Sequence, residues 1–77
     1  MKQKLHDLID AVIAKNQDGG ELTFGWTVTN NGTYCVSVHD QNKGCEYVGE
    51  TVYLTNDLQL CDYGMKIEDL IKEVNKL

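Results

Sequence analysis

Apolar residues near both ends of the chain recur with the spacing of one helix face. In the first segment these residues are Leu5, Leu8, Ile9, Val12 and Ile13, and Gly19–Gly20 follows as a stop signal. In the last segment they are Ile67, Leu70, Ile71, Val74 and Leu77. Steps of three and four residues place side chains on one side of an α-helix. The pattern predicts a helix over about residues 2–16 and a second helix over about residues 66–76.

Between the helices apolar and polar residues alternate, and β-branched and aromatic residues are frequent, as in β-strands. The first turn decides which face is apolar. A two-residue turn at Asn31–Gly32 would mix polar and apolar side chains on both faces. A three-residue loop, Asn30–Gly32, pairs Thr29 with Thr33 and gathers the apolar residues on one face, so we predict this loop. The residues of that face are Leu22, Phe24, Trp26, Val28, Tyr34, Val36 and Val38.

A second turn uses the same device, because Asn42–Gly44 repeats the Asn-x-Gly pattern. A three-residue loop there pairs Gln41 with Cys45 and brings Val38 opposite Val48. The uninterrupted ladder would then set Val52 opposite Tyr34.

A third turn is predicted at residues 55–57, where no glycine is present. It would set Leu54 opposite Leu58 and Val52 opposite Leu60. The chain then forms an antiparallel β-meander of three to four strands with N- and C-terminal helices packed on one face, an α+β fold of order αββββα. Seventy-seven residues leave room for a single domain, 1–77.

Strand 22–29 lies at an edge of this predicted sheet. An edge strand exposes unpaired backbone groups, and a core of this size leaves little stability to spare. A homodimer formed through the edge strand is therefore a further expectation.

Charge is unevenly distributed along the chain. The sequence contains seven Lys or Arg residues, all of them lysine, and twelve Asp or Glu residues, for a net charge of −5. Residues 16–62 contain seven of the acids and only Lys43, which gives −6, whereas residues 63–77 are neutral. A surface that binds nucleic acid directly needs many cations to neutralise phosphates. The charge argues against direct nucleic-acid binding and favours a protein partner with a basic surface.

The three cysteines, Cys35, Cys45 and Cys61, are odd in number and form no Cys-x-x-Cys pair. Cys35 and Cys61 lie two strands apart in the predicted sheet, which is too far for a disulfide. Asp7 and Asp10 occupy positions where a secretory signal would be apolar. No apolar run approaches the about 20 residues of a membrane span. We expect free thiols in a cytoplasmic protein.

One row of the face left open by the helices has almost no side chains. In the predicted register Gly25, Ser37 and Gly49 share this row, and Tyr47 and Tyr53 lie beside it. Glycine within a strand often marks close approach by a ligand or another backbone, although it also eases sheet twist. Tyrosine is enriched at interfaces, although it also pairs across strands. This trough is the leading candidate binding surface.

Two pairs of carboxylates become cross-strand neighbours, Asp40 with Glu46 and Glu50 with Asp62. Like charges that face each other are unfavourable unless water or a cation separates them. We interpret them as a solvated acidic rim, since no EF-type loop accompanies them to form a calcium or magnesium site. Glu50 also interrupts the apolar pattern, so we expect a bulge at Gly49 that turns Glu50 outward.

His39 and Cys45 are predicted diagonal neighbours, and a Cys–His pair can act as a nucleophile. No oxyanion donor or third orienting group accompanies them, so we do not expect an enzyme. A zinc site made of Cys45, His39 and Cys35 fails because strand positions four apart lie about 13 Å from each other. We expect neither a metal nor a cofactor.

These features predict a small, acidic, non-enzymatic interaction module that binds a basic protein surface through its open sheet face and acidic rim. Basic patches often bind nucleic acid, so such a module would inhibit a nucleic-acid-binding protein by competition. Small acidic phage inhibitors of bacterial defence nucleases share this size and charge, an analogy of class without a shared motif. The alternative is a small-ligand-binding or sequestering protein that uses the trough of Gly25, Ser37 and Gly49, with an oligomer needed to deepen the trough. The candidate binding residues are Gly25, Ser37, His39, Asp40, Glu46, Tyr47, Gly49, Glu50, Tyr53 and Asp62.

Overall fold

Two helices flank a run of short strands in the computed structural model, which describes residues 2–77. The helices are α1, Lys2–Gln17, and α2, Ile67–Asn75. The strands are β1, Leu22–Val28, β2, Tyr34–Asp40, β3, Glu46–Tyr47, β4, Val52–Leu54, and β5, Leu60–Gly64. The predicted α+β class and order of elements are confirmed, with the third predicted strand divided into β3 and β4.

The sheet is antiparallel and open, with the order β1-β2-β4-β5, and β3 also pairs with β2. The first hairpin has the predicted register, in which Trp26 lies opposite Val36. Its loop has the predicted length, because the Thr29 N–H donates to the Thr33 carbonyl at 2.8 Å. Gly32 takes the left-handed conformation that this loop needs, with φ +80°.

The core lies between the apolar face of the sheet and the two helices. Helix α1 contributes Leu5, Leu8 and Val12, and α2 contributes Ile67, Leu70 and Val74, as the helical spacing predicted. The remaining buried apolar side chains come from the sheet layer: Leu22, Val36, Val38, Val48, Val52 and Leu54. Among the described residues, neither helix combines the length and apolar character needed to cross a bilayer.

The helices leave one end of the apolar face uncovered. Trp26 is 42% exposed and Val28 is 55% exposed, although both belong to the predicted apolar face. The Trp26 ring packs against Tyr34 with 5.3 Å between ring centroids. An apolar patch therefore lies at the far end of the first hairpin.

The second turn is longer than predicted. Residues Gln41–Lys43 form a 3₁₀ turn, and both Gly44 and Cys45 follow in the left-handed conformation. The last ladder pair is Asp40 with Glu46, so the predicted pairing of Gln41 with Cys45 is wrong. The register beyond it is confirmed, because the Val48 N–H donates to the Val38 carbonyl at 2.8 Å.

A bulge interrupts the ladder between β3 and β4. Val52 lies opposite Val36. The uninterrupted ladder had predicted Tyr34 as its partner. Gly49, with φ +68°, bends the chain here. Between the pairs Tyr47–His39 and Val52–Val36, the chain advances by two more residues on this side than on β2. The bulge expected at Gly49 is therefore present, and Glu50 is exposed beside it.

The third turn is displaced by one residue from its predicted place. The Thr55 N–H donates to the Gln59 carbonyl at 2.8 Å, and Leu58 takes the left-handed position with φ +59°. Leu54 accordingly pairs with Leu60 and not with Leu58. A second irregularity within β5 then sets Val52 opposite Gly64, where Leu60 was predicted.

Candidate interaction surface

Four aromatic rings lie in two contacting pairs on the sheet face opposite the helices. His39 and Tyr47 are ladder partners with ring centroids 4.4 Å apart. The Tyr53 and Tyr63 centroids are 4.8 Å apart, across β4 and β5. Tyr47 is 59% exposed and Tyr63 is 61% exposed, so each pair contains one ring that is open to a partner.

Hydrogen bonds fix the His39 ring beneath Tyr47. The His39 Nδ1 atom lies 3.2 Å from the Cys45 carbonyl, and Nε2 lies 3.1 Å from the Ser37 Oγ atom. A carbonyl can only accept, so Nδ1 carries a proton and donates to Cys45, while Nε2 and the Ser37 hydroxyl share the second hydrogen bond. Because both nitrogens are occupied, the ring has one preferred orientation, and it presents a fixed platform to Tyr47.

The predicted glycine trough is only partly formed. Gly25 and Ser37 are ladder partners, and a Cβ on Gly25 would lie 3.0 Å from the Ser37 Oγ atom. Glycine at this position therefore makes room for the hydroxyl that orients His39. Gly49 does not continue the row, because the bulge shifts its strand by two residues. A Cβ on Gly49 would meet Met65 Sδ at 2.9 Å, on the core side of the sheet.

A shallow depression of about 290 Å³ replaces the trough, and we call it the tyrosine depression. Tyr47 and Tyr53 lie on its border, and Glu50, which comes between them along the chain, also lines it. The full lining is Tyr47, Gly49, Glu50, Thr51, Tyr53 and Gly64. The bulge thus brings a carboxylate next to two exposed or half-buried rings.

A second depression of about 360 Å³ lies on the other side of the Tyr53 ring. It is lined by Thr29, Asn30, Asn31, Thr33, Cys35, Tyr53 and Tyr63. Tyr53 lines both depressions, whereas Tyr63 lines the second alone. Tyr63 was not among the candidate binding residues, although strand alternation already indicated that it lies on the open sheet face in the row of Gly25 and Ser37.

The acidic residues do not form the rim in the predicted arrangement. Asp40 and Glu46 are ladder partners as predicted, but Asp40 is buried on the core side. Its carboxylate accepts from the Asn42 N–H at 3.0 Å and so caps the 3₁₀ turn. Capping gives Asp40 a structural role, and Glu46 alone of this pair is exposed.

The predicted pairing of Glu50 with Asp62 is wrong. Val52 pairs with Gly64 and Leu54 pairs with Leu60, so Asp62 lies in the irregular part of β5 between these two pairs and does not face Glu50. Both carboxylates are nevertheless in exposed residues. Within residues 2–77 the one ion pair joins Lys76 to Glu73 on α2, so neither carboxylate is paired with a lysine.

The cysteines are free thiols, as predicted. The Cys45 thiol donates to the Gln41 side chain at 3.1 Å, while His39 bonds to the Cys45 carbonyl and not to its sulfur. The geometry of a thiol–imidazole nucleophile is therefore not assembled here. Across the described part of the chain, no three His, Cys, Asp or Glu side chains are grouped as ligands for one metal ion.

Comparison with protein-family models found no match, and comparison with curated proteins and with solved structures found no significant match. What this surface can bind must therefore follow from its own shape, charge and hydrogen bonding.

Proposed function

We propose that this protein is a small, acidic, non-enzymatic interaction module that occupies a basic surface on a partner protein. The observation that carries the proposal is the tyrosine depression, which is lined by Tyr47, Tyr53 and Glu50, a carboxylate that forms no ion pair within residues 2–77. Tyrosine supplies rigid contact area, and an unpaired carboxylate offers an acceptor to Lys or Arg of the partner.

Tyr47 is suited to act as an anchor because its position is determined before binding. It packs on His39, and His39 is held at both ring nitrogens. An anchor that is already ordered loses less conformational entropy when the complex forms. Tyr63 has comparable exposure and packs on Tyr53, so it provides a second anchor on the same face.

Charge favours a basic partner. The two helices and their caps contain six of the seven lysines, whereas residues 16–62 sum to −6. Opposite charge accelerates encounter and makes binding sensitive to salt. Because basic surfaces commonly bind nucleic acid, we propose that the module inhibits a nucleic-acid-binding protein by competition. Small acidic phage inhibitors follow the same logic of size and charge, and free thiols suit a cytoplasmic setting.

The alternative of a small-ligand-binding protein receives less support. The glycine row is broken at Gly49, and the tyrosine depression of about 290 Å³ is open and falls at the lower end of ligand-pocket volumes. A ligand there would leave much of its surface in water. A flat face with exposed rings is better matched to a protein partner.

Affinity capture from a native lysate tests the proposal when three immobilised forms are compared. The Tyr47→Ala/Tyr63→Ala double variant should lose the partner that the parent retains. The control Lys4→Ala/Asp10→Ala removes two exposed helix side chains without changing the net charge, and it should retain the partner. Added duplex DNA should release the partner from the parent. A partner held equally by all three forms would place the binding surface elsewhere.

A matched pair of charge variants tests the role of Glu50. Glu50→Gln and Asp10→Asn remove one negative charge each, the first at the tyrosine depression and the second on α1. Only Glu50→Gln should weaken binding markedly, because a local contact and not the net charge is lost. Binding to the captured partner should also weaken toward about 0.5 M salt, where charges are screened within a few ångströms. Equal effects of the two variants, or no effect of salt, would contradict the electrostatic part of the proposal.

A further inference from the structure

Strand β1 is an edge that lacks the features by which edge strands avoid pairing. Within residues 2–77 it pairs with β2 alone, and all seven of its residues are in regular register. Its sequence, LTFGWTV, contains no charged residue and no proline. The opposite edge, β5, has both a charged residue, Asp62, and an irregular register. Proteins protect edges with charges, prolines and bulges, so β1 is the unprotected edge.

The direction of the free backbone groups on β1 follows from two hydrogen bonds at its ends. The Thr29 N–H donates to Thr33, and the Glu21 carbonyl accepts from Gln41. In an antiparallel pair, residues alternate between those that bond to the partner strand and those that point away from it. Odd-numbered residues therefore bond to β2. The backbone groups that point outward belong to Leu22, Phe24, Trp26 and Val28.

We propose that a second copy of this chain pairs with β1 in antiparallel orientation, with the two-fold axis at Gly25. In this register, each β1 residue whose backbone groups point away from β2 lies opposite a residue of the same kind on the second copy. Phe24 lies opposite Trp26 of the second copy, and Leu22 lies opposite Val28 of the second copy. On the open face Thr23 lies opposite Thr27 of the second copy, and the two Gly25 residues meet at the axis.

The side chains match in each of these pairs. Aromatic–aromatic and Thr–Thr neighbours are among the favourable cross-strand pairs, and Leu with Val adds an apolar contact. The pairing would cover Trp26 and Val28, which are 42% and 55% exposed in the single chain. A foreign strand would need its own complementary sequence, whereas β1 complements itself.

Charge permits this pairing despite the net charge of −5. No acidic residue lies within β1, and in the proposed register Glu21 lies opposite Thr29 of the second copy. Like charges are therefore kept apart along the seam, where they would oppose association. The inference concerns a different surface from the proposed function and does not depend on it.

Sedimentation of the full chain across a wide range of concentrations tests the dimer. The parent should associate to twice its mass of 8.7 kDa. Val28→Lys places a charge beside the seam and should raise the dimer dissociation constant at least about tenfold, or 1.4 kcal/mol. Gln59→Lys adds the same charge at an exposed residue outside β1 and should leave dimerisation unchanged.

Cross-linking tests the register. Two proteins are prepared with all three native cysteines changed to serine, one with Thr23→Cys and the other with Thr27→Cys. Under oxidation, the mixture should form covalent heterodimers, because these positions face each other across the seam without a hydrogen bond between their backbones. Each variant alone should remain uncross-linked. Circular dichroism confirms that both variants are folded.

Three results would overturn the inference. The first is a parent that sediments as a monomer at every concentration. The second is equal dimerisation by the Val28→Lys and Gln59→Lys variants, which would move the interface away from β1. The third is a dimer whose cysteine variants form covalent homodimers when either is oxidised alone, or form no covalent heterodimer when mixed, which would exclude the register centred on Gly25.

Discussion

Replacement of Gly49 by alanine should strongly destabilise the fold, and Gly44 provides a matched control. Both glycines have φ +68°. A Cβ on Gly44 would have no heavy atom within 4 Å among its non-neighbouring residues, whereas a Cβ on Gly49 would lie 2.9 Å from Met65 Sδ and 3.2 Å from Leu70 Cδ1. The two substitutions therefore share the backbone strain and differ in steric crowding.

The expected magnitudes follow from these two contributions. A left-handed alanine costs about 1–2 kcal/mol, from which reduced freedom of the unfolded chain removes about 0.4–1 kcal/mol. Gly44→Ala should thus lower the free energy of unfolding by about 1 kcal/mol. Crowding in a packed core adds about 1–3 kcal/mol, so Gly49→Ala should lower it by about 2–4 kcal/mol. For a domain of this size each kcal/mol corresponds to about 4–8 °C in melting temperature.

Urea unfolding followed by far-ultraviolet circular dichroism measures both variants. The midpoint should fall further for Gly49→Ala than for Gly44→Ala, with the slope m unchanged. The double variant Gly49→Ala/Met65→Ala should cost less than the sum of its single changes, because the crowded sulfur is gone. Equal midpoints for the two glycine variants would refute the reasoning, since the contact with Met65 would then not limit this position.

Two further predictions concern Cys45. It is an exposed residue in the left-handed conformation, with φ +65°, so Cys45→Gly should stabilise the protein by about 0.5–1 kcal/mol in thermal unfolding, while Cys45→Ala should not. If Cys45→Ala stabilised the protein as much as Cys45→Gly, relief of the left-handed backbone strain at this position could not be the cause. The native protein should also react with a thiol reagent in two stages, first at Cys45 and then at the half-buried Cys35 and Cys61, and three thiols should be counted after denaturation. A count below three after denaturation without reductant would contradict the free thiols, and a native count of zero would contradict the exposure of Cys45.

Alternation of polar and apolar residues predicted the faces of the sheet better than it predicted the strand pairing. Val52 is buried, as expected, yet it lies opposite Val36 and not Tyr34. The reason is that the bulge at Gly49 inserts two residues. An even insertion preserves which face a side chain occupies and changes only its partner. The alternation of polar and apolar residues therefore reveals a register shift of one residue, which moves side chains to the other face, but not a shift of two residues.

The left-handed residues of the second and third turns limited the prediction of the site. The first loop has glycine where the left-handed conformation is needed, and its register was predicted correctly. Cys45 and Leu58 adopt that conformation without the residue types that favour it, so local preference did not indicate their positions. The burial of Asp40 was not predicted from the sequence, because its hydrogen bond to the Asn42 N–H exists only when the 3₁₀ turn forms.

The two helices and their caps carry six lysines and five acids and are nearly neutral, whereas residues 16–62 sum to −6, so the excess negative charge lies on the sheet side and gives the molecule an electric dipole. In the field of a strongly basic surface, such a dipole experiences a torque before any contact is made. The protein would then approach with its sheet side toward the basic surface, so that a larger fraction of encounters would involve the binding face. Orientation during approach would thus be set by the layer architecture itself and would precede any recognition by individual side chains.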